Sequence, residues 1–414
     1  MSQEIITLLQ NKRIVLAVTG SIAAYKAADL ASKLTQAGAL IDVVMTEAAE
    51  RFVTPLTFQS VTGRPVYTNL WQNESSGALP THIAHVGLAE GADLLVVAPA
   101  TANTLAKLAH GLANDLLSVT ALAARCPLVV APAMDGSMYG HTATQANVST
   151  LRQRGVTVIE PETGRFASGL VGQGRLPDTA TLIGHIRVAL GRTGALAGKK
   201  IIVTAGGTRE AIDPVRFITN RSSGKQGYAL AQAALDAGAS VTLVTASDLP
   251  SPVGAEIINV SSAEHMQQAV LDNLPTSDAL LMAAAVADFR PQTRATQKIK
   301  KKDDSDEAPV ITLARTPDIL MSVKAQRAAI NHPHVTVGFA AESEKLLSHA
   351  RAKLERKGLD LLIANDITAP DAGFEVDTNR VIILGADGTQ IPLALASKTR
   401  IAEAIIERVA ALLP

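Results

Sequence analysis

Cysteine and aromatic side chains are scarce in this chain of 414 residues. Cys126 is the single cysteine, which excludes an intramolecular disulfide and a cysteine-based metal site and fits a reducing compartment. Aromatic residues make up only 3% of the sequence, so aliphatic side chains supply most of the 47% that is hydrophobic. Cores built from alanine, valine, isoleucine and leucine are typical of buried parallel sheets.

The chain also lacks an excess of charge and any long apolar run. Its 38 basic residues balance 38 acidic ones, which argues against a nucleic-acid partner or a membrane-surface partner. Residues 1–12 lack the charged and apolar order of a signal peptide, and no apolar run reaches the length of a membrane span. We therefore expect a soluble, cytoplasmic protein.

Strand-like runs alternate with helical patterns along the sequence, which predicts an α/β fold with parallel sheets covered on both faces. The length favours two or three domains, and the glycines of residues 191–198 mark a boundary. We expect two doubly wound, Rossmann-like domains, residues 1–194 and 195–414. The predicted strands are residues 13–18, 41–45, 94–98, 128–131 and 156–159 in the first half, and residues 200–204, 241–245, 279–283, 335–339 and 360–364, with a pair around 380–384, in the second.

The polar loop at residues 206–224, which we call the signature loop, is the most informative stretch. It follows a β-branched strand, contains three arginines and Asn220, and leads through residues 222–224 into an alanine-rich helix from Tyr228. Backbone N–H groups and guanidinium groups at a helix start are typical of an anion site. It is not the common nucleoside-triphosphate loop, because Thr219 replaces one of the glycines of that motif. An ordinary strand-to-helix connection is the alternative, but such connections have about 2–6 residues.

Two loops of the first half place polar groups at predicted helix starts. Ser21 and neighbouring backbone N–H groups follow the first strand and can hold a phosphate, although the dinucleotide glycine fingerprint is missing. Residues 98–104 end a buried strand with a proline and then place Thr101, Asn103 and Thr104 at a helix start. Thr101 alternatively serves only to cap that helix. Both loops follow strands of the predicted parallel sheet. We expect ligands to bind at the edge of the sheet where the strands have their carboxyl ends.

Two later segments of the first half are also unusual. Residues 132–139 form a short loop that contains Asp135 between two methionines. Residues 164–176 are too rich in glycine for a regular element, so we interpret them as a mobile flap.

Together these motifs resemble those of a known bifunctional family. The first half is similar to the homo-oligomeric flavin-containing cysteine decarboxylases, which implies a flavodoxin-like fold. The whole chain resembles the bacterial proteins of coenzyme A biosynthesis that join a phosphopantothenoylcysteine decarboxylase to a phosphopantothenate–cysteine ligase. The resemblance implies an FMN site formed by Ser21, Ile22, Thr46, Thr101, Ala102, Asn103 and Thr104.

The resemblance also implies a catalytic histidine. Family members have it in a His-Ile-x-Leu segment, eight residues before Ala-Asp-Leu. Counting back from Asp93 assigns this role to His85, and His82 is the competitor in another register. Without the resemblance, a lone histidine near a helix start is more often structural. The implied reaction oxidises the substrate thiol at the expense of FMN, releases CO2, and then reduces and protonates the resulting ene-thiol.

Two residues depart from the family pattern. Asp135 replaces an asparagine that would hold the substrate carboxylate, and two carboxylates in contact repel unless one is protonated or a cation intervenes. Ser168 replaces the flap cysteine that acts as an acid, and a hydroxyl is a poorer direct proton donor than a thiol. The two departures together indicate either a tuned variant or a damaged active site.

The second half resembles the ligase. The resemblance assigns Asn220 and Lys298 to stabilising the reacting phosphate and acyl groups. Lysine-rich runs such as residues 298–302 are otherwise most often solvated loops. Lys353 and Lys357 are four residues apart and share a helix face, for which a solubilising surface is the alternative. The implied CTP contacts are Asp288, Lys298, Pro317, Asp318, Ile319, Leu320, Phe339, Lys353 and Lys357.

The implied ligase chemistry has two steps. The carboxylate of 4′-phosphopantothenate attacks the α-phosphate of CTP, which gives an acyl-cytidylate and pyrophosphate. The amine of L-cysteine then displaces CMP and forms an amide. We expect Mg2+ on the triphosphate and not in a protein cage, because the sequence has no matching acidic cluster. The resemblance further implies a homo-oligomer, with trimers of the first domain and dimers of the second.

Two other functions are compatible with parts of the sequence. In one, the chain is a ligase only, and its first half binds FMN as a silent or redox-sensing module, as Asp135 and Ser168 suggest. In the other, it is a flavin reductase or an electron carrier, against which the ligase-like half counts.

Overall fold

The computed structural model describes residues 5–71, 83–166, 169–300, 309–342, 346–366 and 376–414. The chain divides into two compact units, Met1–Gly191 and Arg192–Pro414. Within the described residues, no helix combines the length and the apolar character that a membrane crossing requires.

Strands and helices alternate through the first unit after a short 3-10 turn at Thr7–Leu9. The strands are β1 (Arg13–Val18), β2 (Leu40–Met45), β3 (Val66–Tyr67), β4 (Leu94–Ala100), β5 (Leu128–Pro132), β6 (Thr157–Val158), β7 (Glu162–Arg165) and β8 (Val171–Arg175). The helices are α1 (Ala24–Gln36), α2 (Glu47–Glu50), α3 (Pro55–Thr62), α4 (Ala84–Glu90), α5 (Ala102–His110), α6 (Leu116–Ala123), α7 (Gly136–Tyr139), α8 (Thr142–Gln153) and α9 (Thr179–Gly191).

The main sheet of the first unit is parallel, with the strand order β3-β2-β1-β4-β5-β6. Alternate positions of β1 face two cores: Ile14 and Leu16 pack on one side, and Val15 and Ala17 on the other. A strand buried on both faces reads as a continuous apolar run, which is why the sequence predicts β1 and β4 well. The chain order reverses between β1 and β4, and doubly wound sheets bind ligands at the carboxyl ends of strands beside such a point.

A buried ion pair joins β1 and β2 on the side of the sheet away from the carboxyl ends of the strands. The Asp42 carboxylate is fully buried and lies 2.6 Å from Nε of Arg13 and 2.7 Å from Nη2 of Arg64. Removing one partner of a buried pair leaves charge without compensation and costs about 3–5 kcal/mol. We therefore expect Asp42→Ala to lower the free energy of unfolding by about 3 kcal/mol, the lower end, because both arginines are partly exposed.

The midpoint of urea unfolding, followed by circular dichroism, measures this effect. Glu47→Ala is the matched control, since Glu47 and Arg51 are exposed and 3.9 Å apart. Such surface pairs contribute about 0–1 kcal/mol. Equal midpoints for the two variants would show that the buried pair does not stabilise the first unit.

The second unit is built in the same way. Its strands are β9 (Lys200–Ala205), β10 (Arg209–Ala211), β11 (Phe217–Thr219), β12 (Ser240–Thr245), β13 (Glu256–Asn259), β14 (Ala279–Met282), β15 (Phe289–Pro291), β16 (Leu313–Arg315), β17 (Val335–Glu342), β18 (Leu361–Asp366), β19 (Thr378–Gly385) and β20 (Gln390–Ser397). Its helices are α10 (Lys225–Asp236), α11 (Ala263–Asn273), α12 (Ile319–Ile330), α13 (Leu346–Lys357) and α14 (Lys398–Leu412), with a 3-10 turn at Leu274–Thr276.

The main sheet of the second unit has the order β13-β12-β9-β14-β17-β18-β19-β20. Pairing is parallel from β13 to β18, and β19 and β20 add an antiparallel edge. The order again reverses beside the first strand of the unit, between β9 and β14. The predicted α/β fold with doubly wound sheets is confirmed in both units.

The structure corrects two local predictions. Residues 164–165 and 171–175, which were expected to form no regular element, belong to β7 and β8, and these strands pair as an antiparallel hairpin. The signature loop is also partly regular, since β10 and β11 pair within it. Its helix begins at Lys225 and not at Tyr228, because Gly224 adopts a left-handed φ of 83° and turns the chain into α10.

Two candidate active sites

The first site lies where β1 and β4 end. The buried hydroxyl of Thr19 donates to the carbonyl of Pro99 at 2.7 Å and accepts from the backbone N–H of Thr101 at 3.1 Å. These two bonds hold the loop after β1 against the loop after β4. Ser21 and Thr101, which were predicted separately, therefore lie on neighbouring loops.

The loop after β1 also contacts β5 and α2. The Ser21 hydroxyl lies 3.3 Å from the carbonyl of Ala133, just after β5. An added Cβ at Gly20 would lie 2.4 Å from the Cβ of Ala48, so only glycine allows this approach to α2. Thr46 caps α2 by accepting from the N–H of Ala49 at 3.3 Å. The structure thus brings Ser21, Ile22 and Thr46 to one edge, with Ile22 63% exposed.

Thr101 caps α5, so the capping role considered from the sequence is real. Its hydroxyl accepts from the N–H of Thr104 at 3.3 Å and lies 3.0 Å from the Thr104 hydroxyl. The first turn of α5 contains Ala102 and Asn103, whose N–H groups have no acceptor within the helix. Hydroxyl groups and first-turn N–H groups suit a phosphate, so this edge fits the FMN that the resemblance implies.

His85 is the second residue of α4 and is half-buried. Because α4 precedes β4 and runs back along the sheet, its first turn lies at the edge where the strands carry their carboxyl ends. His85 is therefore on the same edge as Thr101. His82, the alternative histidine, lies outside the described residues.

Asp135 is held by its own loop. It caps α7, and its Oδ1 accepts from the N–H of Ser137 at 3.0 Å and from the Ser137 hydroxyl at 2.9 Å. Nearby, burial and the hydrogen bond to Glu160 raise the pKa of the Tyr139 hydroxyl to about 12. Tyr139 is thus a poor proton donor near neutral pH.

The hairpin β7–β8 lies against the Asp135 loop. The N–H of Met134 donates to the carbonyl of Gly174 at 2.9 Å. An added Cβ at Gly174 would lie 2.2 Å from the Met134 carbonyl oxygen, so the approach requires glycine. Residues 167–168, and with them Ser168, lie outside the described residues of this hairpin.

In the second unit, the signature loop docks on the segment after β14. The N–H of Ala285 donates to the carbonyl of Gly206 at 2.9 Å, and Gly207 bridges to Ala285. The buried Thr208 hydroxyl accepts from the N–H of Ala287 at 2.9 Å. These contacts fix the backbone that leads to Asp288.

Asn220 joins the same segment from the far end of the loop. Its Nδ2 donates to the carbonyl of Val286 at 3.1 Å. Thr316 contacts the segment from the other side, where its hydroxyl donates to the carbonyl of Ala287 at 2.5 Å and its N–H donates to that of Asp288 at 3.0 Å. Asn220, Asp288 and Pro317 are thereby held around one opening.

That opening is a cavity of about 850 Å3. Among the described residues, its walls include Asn220 and most of the predicted CTP contacts: Asp288, Pro317, Asp318, Ile319, Leu320, Phe339, Lys353 and Lys357. Lys298 is exposed and is not among the described residues of the wall.

Lys353 and Lys357 do not form a solubilising surface. The Lys353 ammonium donates to the carbonyl of Phe339 at 2.7 Å, and Lys357 is buried and ion-paired with Asp318. Asp318 also caps α12 by accepting from the N–H of Met321 at 3.2 Å. Burial acts to raise the pKa of the Asp318 carboxyl, but the bonds from Lys357 and Met321 outweigh it, and the pKa lies below its usual value.

The cavity wall also contains polar residues to which the sequence analysis assigned no role, among them Lys225, Asn365, Asn379 and Lys398. Lys225 directly follows the signature loop, and its position after Gly224 was a usable signal. The others come from β18, β19 and α14, and no local pattern marks them. The buried Oδ1 of Asn365 has no hydrogen-bond partner among the described residues. An unpaired acceptor in a cavity wall fits a ligand that donates hydrogen bonds, such as the amino group of a base.

Comparison with known proteins covers nearly the whole chain. Residues 3–191 match the family model described as flavoprotein, and residues 196–413 match the DNA/pantothenate metabolism flavoprotein C-terminal domain. The coenzyme A biosynthesis bifunctional protein CoaBC of Bacillus subtilis (strain 168) is 46% identical over 409 residues, which are 98% of each chain. The protein of the same name from Mycobacterium tuberculosis (strain ATCC 25618 / H37Rv) is 47% identical over 410 residues, 96% of each chain.

A crystal structure of the C-terminal domain of CoaBC is 36% identical, covers 53% of this chain and 97% of its own, and has a TM-score of 0.44. The family assignment rests on the two family models and the near full-length relatives, which confirm the resemblance inferred from the motifs. The chain therefore belongs to the family of bifunctional coenzyme A biosynthesis proteins, enzymes that join a flavoprotein decarboxylase half to a ligase half.

Proposed function

We propose that the second unit condenses 4′-phosphopantothenate with L-cysteine at the expense of CTP, and that the first unit decarboxylates the product to 4′-phosphopantetheine with FMN. The observation that carries this proposal is the cavity of the second unit, whose wall unites Asn220, Asp288 and Lys357 from distant parts of the chain. The relatives' shared name, a bifunctional protein of coenzyme A biosynthesis, supports the same assignment.

In the ligase reaction, the cavity holds the nucleotide. The ring of Phe339 offers a flat surface. Asn365 and the Lys357–Asp318 pair offer hydrogen-bond donors and acceptors, and together these features suit cytosine. Asp288 contributes a carboxylate at the end of the segment that follows β14. Mg2+ is carried by the triphosphate of CTP.

Asn220 and Lys298 act on the reacting atoms. The substrate carboxylate attacks the α-phosphorus of CTP, pyrophosphate leaves, and negative charge builds on the phosphate oxygens. The Lys298 ammonium stabilises that charge. The cysteine amine then attacks the acyl carbon, loses a proton and expels CMP, while Asn220 orients the acyl group beside Val286.

In the decarboxylase reaction, the edge of β1, β4 and β5 holds FMN through Ser21, Ile22, Thr46 and the four residues Thr101–Thr104. Bound FMN would accept two electrons from the substrate thiol and return them to the ene-thiol after CO2 is lost, so that the net reaction is redox-neutral. His85 accepts the proton that the thiol releases. Asp135, already bonded to Ser137, orders the loop that faces the substrate carboxylate, and Ser168 relays the final proton from water.

We also propose that the chain is a cytoplasmic homo-oligomer, with trimers of the first unit and dimers of the second. Exposed apolar side chains support this: Ile22 and Tyr25 are 63% and 62% exposed beside the first site. Val215 and Phe217 are 60% and 49% exposed at the hairpin β10–β11 of the second unit. A monomer at micromolar concentration would contradict this part of the proposal.

The FMN site is tested by reconstitution. We expect the purified protein to be yellow or to take up one added FMN per chain, because the donors at the β1 and β4 edge are already ordered. Ser21→Ala should weaken FMN binding about tenfold, the loss of one hydrogen bond to a charged group.

Ser32→Ala is the matched control, because the Ser32 hydroxyl contacts Gln36 on the exposed side of α1. Binding is measured by the quenching of flavin fluorescence. A colourless protein that does not take up FMN would rule out the assignment of the first unit.

A second candidate is a ligase whose first unit binds FMN without catalysing decarboxylation. Asp135 favours it, since a carboxylate in place of the family's asparagine would repel the substrate carboxylate. Release of CO2 by the purified protein distinguishes the two candidates.

A further inference from the structure

The segment that carries Lys298 is fastened to the hairpin β10–β11. The N–H of Ile299 donates to Oδ2 of Asp213 at 3.1 Å, and the carbonyl of Ile299 accepts from Nη2 of Arg216 at 2.8 Å. Four residues earlier, the N–H of Ala295 donates to the carbonyl of Ile212 at 2.9 Å. Both backbone groups of the residue next to Lys298 are therefore held by one turn of the hairpin.

Asp213 is the centre of this arrangement. The residue is only 2% exposed. Its carboxylate accepts hydrogen bonds from Nε of Arg216 at 3.0 Å and from the backbone N–H groups of Val215 and Arg216, both at 2.8 Å. The hydrogen bonds from the Arg216 side chain hold the pKa of the Asp213 carboxyl well below its usual value. Asp213 is therefore ionised at working pH, and its lone pairs are occupied by donors, so it is not a free acid or base.

The same hairpin leads to Asn220. Strand β11 ends at Thr219, and the next residue donates its amide to Val286 in the cavity wall. Asp213 fixes the turn at the other end of β11. It thus connects the backbone beside Lys298 to the strand that positions Asn220.

We propose that Asp213 is a positioning residue for the ligase reaction: it holds the Lys298 backbone at a set distance from Asn220, so that both reach the same activated phosphate. This inference rests on the proposed role of Lys298. The geometry explains how an exposed lysine on an irregular segment acts at a defined place, because ordering by preformed contacts is needed for charge stabilisation.

The test is a double-variant cycle on the full chain, with amide formation measured at saturating CTP and Mg2+. Asp213→Asn should lower kcat by tenfold or more with a smaller change in the KM for CTP. In a Lys298→Gln background, the same substitution should change kcat less than threefold, because the group that Asp213 positions is already missing.

Tryptic cleavage after Lys298 or Lys300, read by mass spectrometry, gives a result independent of catalysis. Asp213→Asn should increase this cleavage severalfold because the anchor at Ile299 is lost. Asp387→Asn is the matched control: Asp387 also accepts from a turn N–H, that of Thr389 at 2.9 Å, and from an arginine, Arg408 at 3.0 Å. It should leave both readouts unchanged.

Ile299→Pro provides a second route if Asp213→Asn does not fold, because it removes the N–H donor and leaves the hairpin intact. It should reproduce the loss of kcat. If Lys298→Gln is slow but Asp213→Asn adds its full effect in that background, or cleavage does not rise, the positioning role is wrong and the ligase assignment stands. If Lys298→Gln reacts at the wild-type rate, the proposed role of Lys298 fails, and the inference fails with it.

Discussion

Replacing Lys298 with glutamine is expected to lower kcat for amide formation by about 10²–10³, the usual cost of removing one preorganised group that stabilises developing charge. Glutamine keeps the length of the side chain approximately but removes the cation where phosphate charge develops. The first step should be affected, so less acyl-cytidylate and pyrophosphate should form. The release of pyrophosphate and CMP from CTP, measured separately, shows which step is slowed.

Lys300→Gln is the control for this prediction. Lys300 is exposed and lies on the same segment, two residues further along. If the ammonium of Lys298 acts locally, the Lys300 variant keeps the wild-type rate. Equal rates for wild type, Lys298→Gln and Lys300→Gln would show that residues 298–302 are only a solvated loop.

His85→Asn is expected to abolish decarboxylation and leave ligation unchanged. Loss of a positioned proton-transfer group costs about 10²–10⁴ in rate, which places the residual activity near background. Ligation should persist because His85 belongs to the unit Met1–Gly191, whereas the ligase cavity is built from residues of the other unit. Synthetic 4′-phosphopantothenoylcysteine as substrate isolates the decarboxylation, and CO2 release is the measurement.

His110→Asn is the matched control, because His110 is an exposed histidine in the last turn of α5. Loss of decarboxylation on replacing His82 instead of His85 would show that the register count from Asp93 is wrong. If both His85→Asn and His82→Asn retain decarboxylation, neither histidine takes part in the reaction.

The parts of the fold that could be predicted are those with a strong local pattern. The strands β1, β4 and β9 are runs of aliphatic residues buried on both faces, and such runs are evident without knowledge of their neighbours. Each predicted strand overlaps an observed one, although the ends differ by a few residues, as in β17, which continues past Phe339 to Glu342. The short strands β3 and β13 of the main sheets were not predicted, and β20 lies at Gln390–Ser397 and not around residues 380–384. Helix starts were less well placed, as the beginning of α10 at Lys225 illustrates.

The parts that could not be predicted depend on partners distant in sequence. The hairpin β7–β8 contains Gly172 and Gly174, whose missing side chains allow contact with Phe166 and Met134. Glycine has a low strand propensity, so the local pattern indicated a loop where tertiary packing favours a hairpin.

The candidate site shows the same limit. Lys357 was assigned to CTP from the resemblance, but its ion pair with Asp318 joins residues 39 positions apart. Asn365 and Lys398 enter the cavity wall from strands and helices far along the chain. Asp213 is one acidic residue in a polar loop, and its burial and its contacts with Arg216 and Ile299 become evident only in the fold.

One measurement tests most directly the claim that a single chain carries out both reactions. The purified protein, supplied with FMN, is incubated with 4′-phosphopantothenate, carboxyl-labelled L-cysteine, CTP and Mg2+. We predict equal amounts of CMP, labelled CO2 and 4′-phosphopantetheine. Accumulation of labelled 4′-phosphopantothenoylcysteine without labelled CO2 would contradict the claim and identify a ligase with a silent flavin unit.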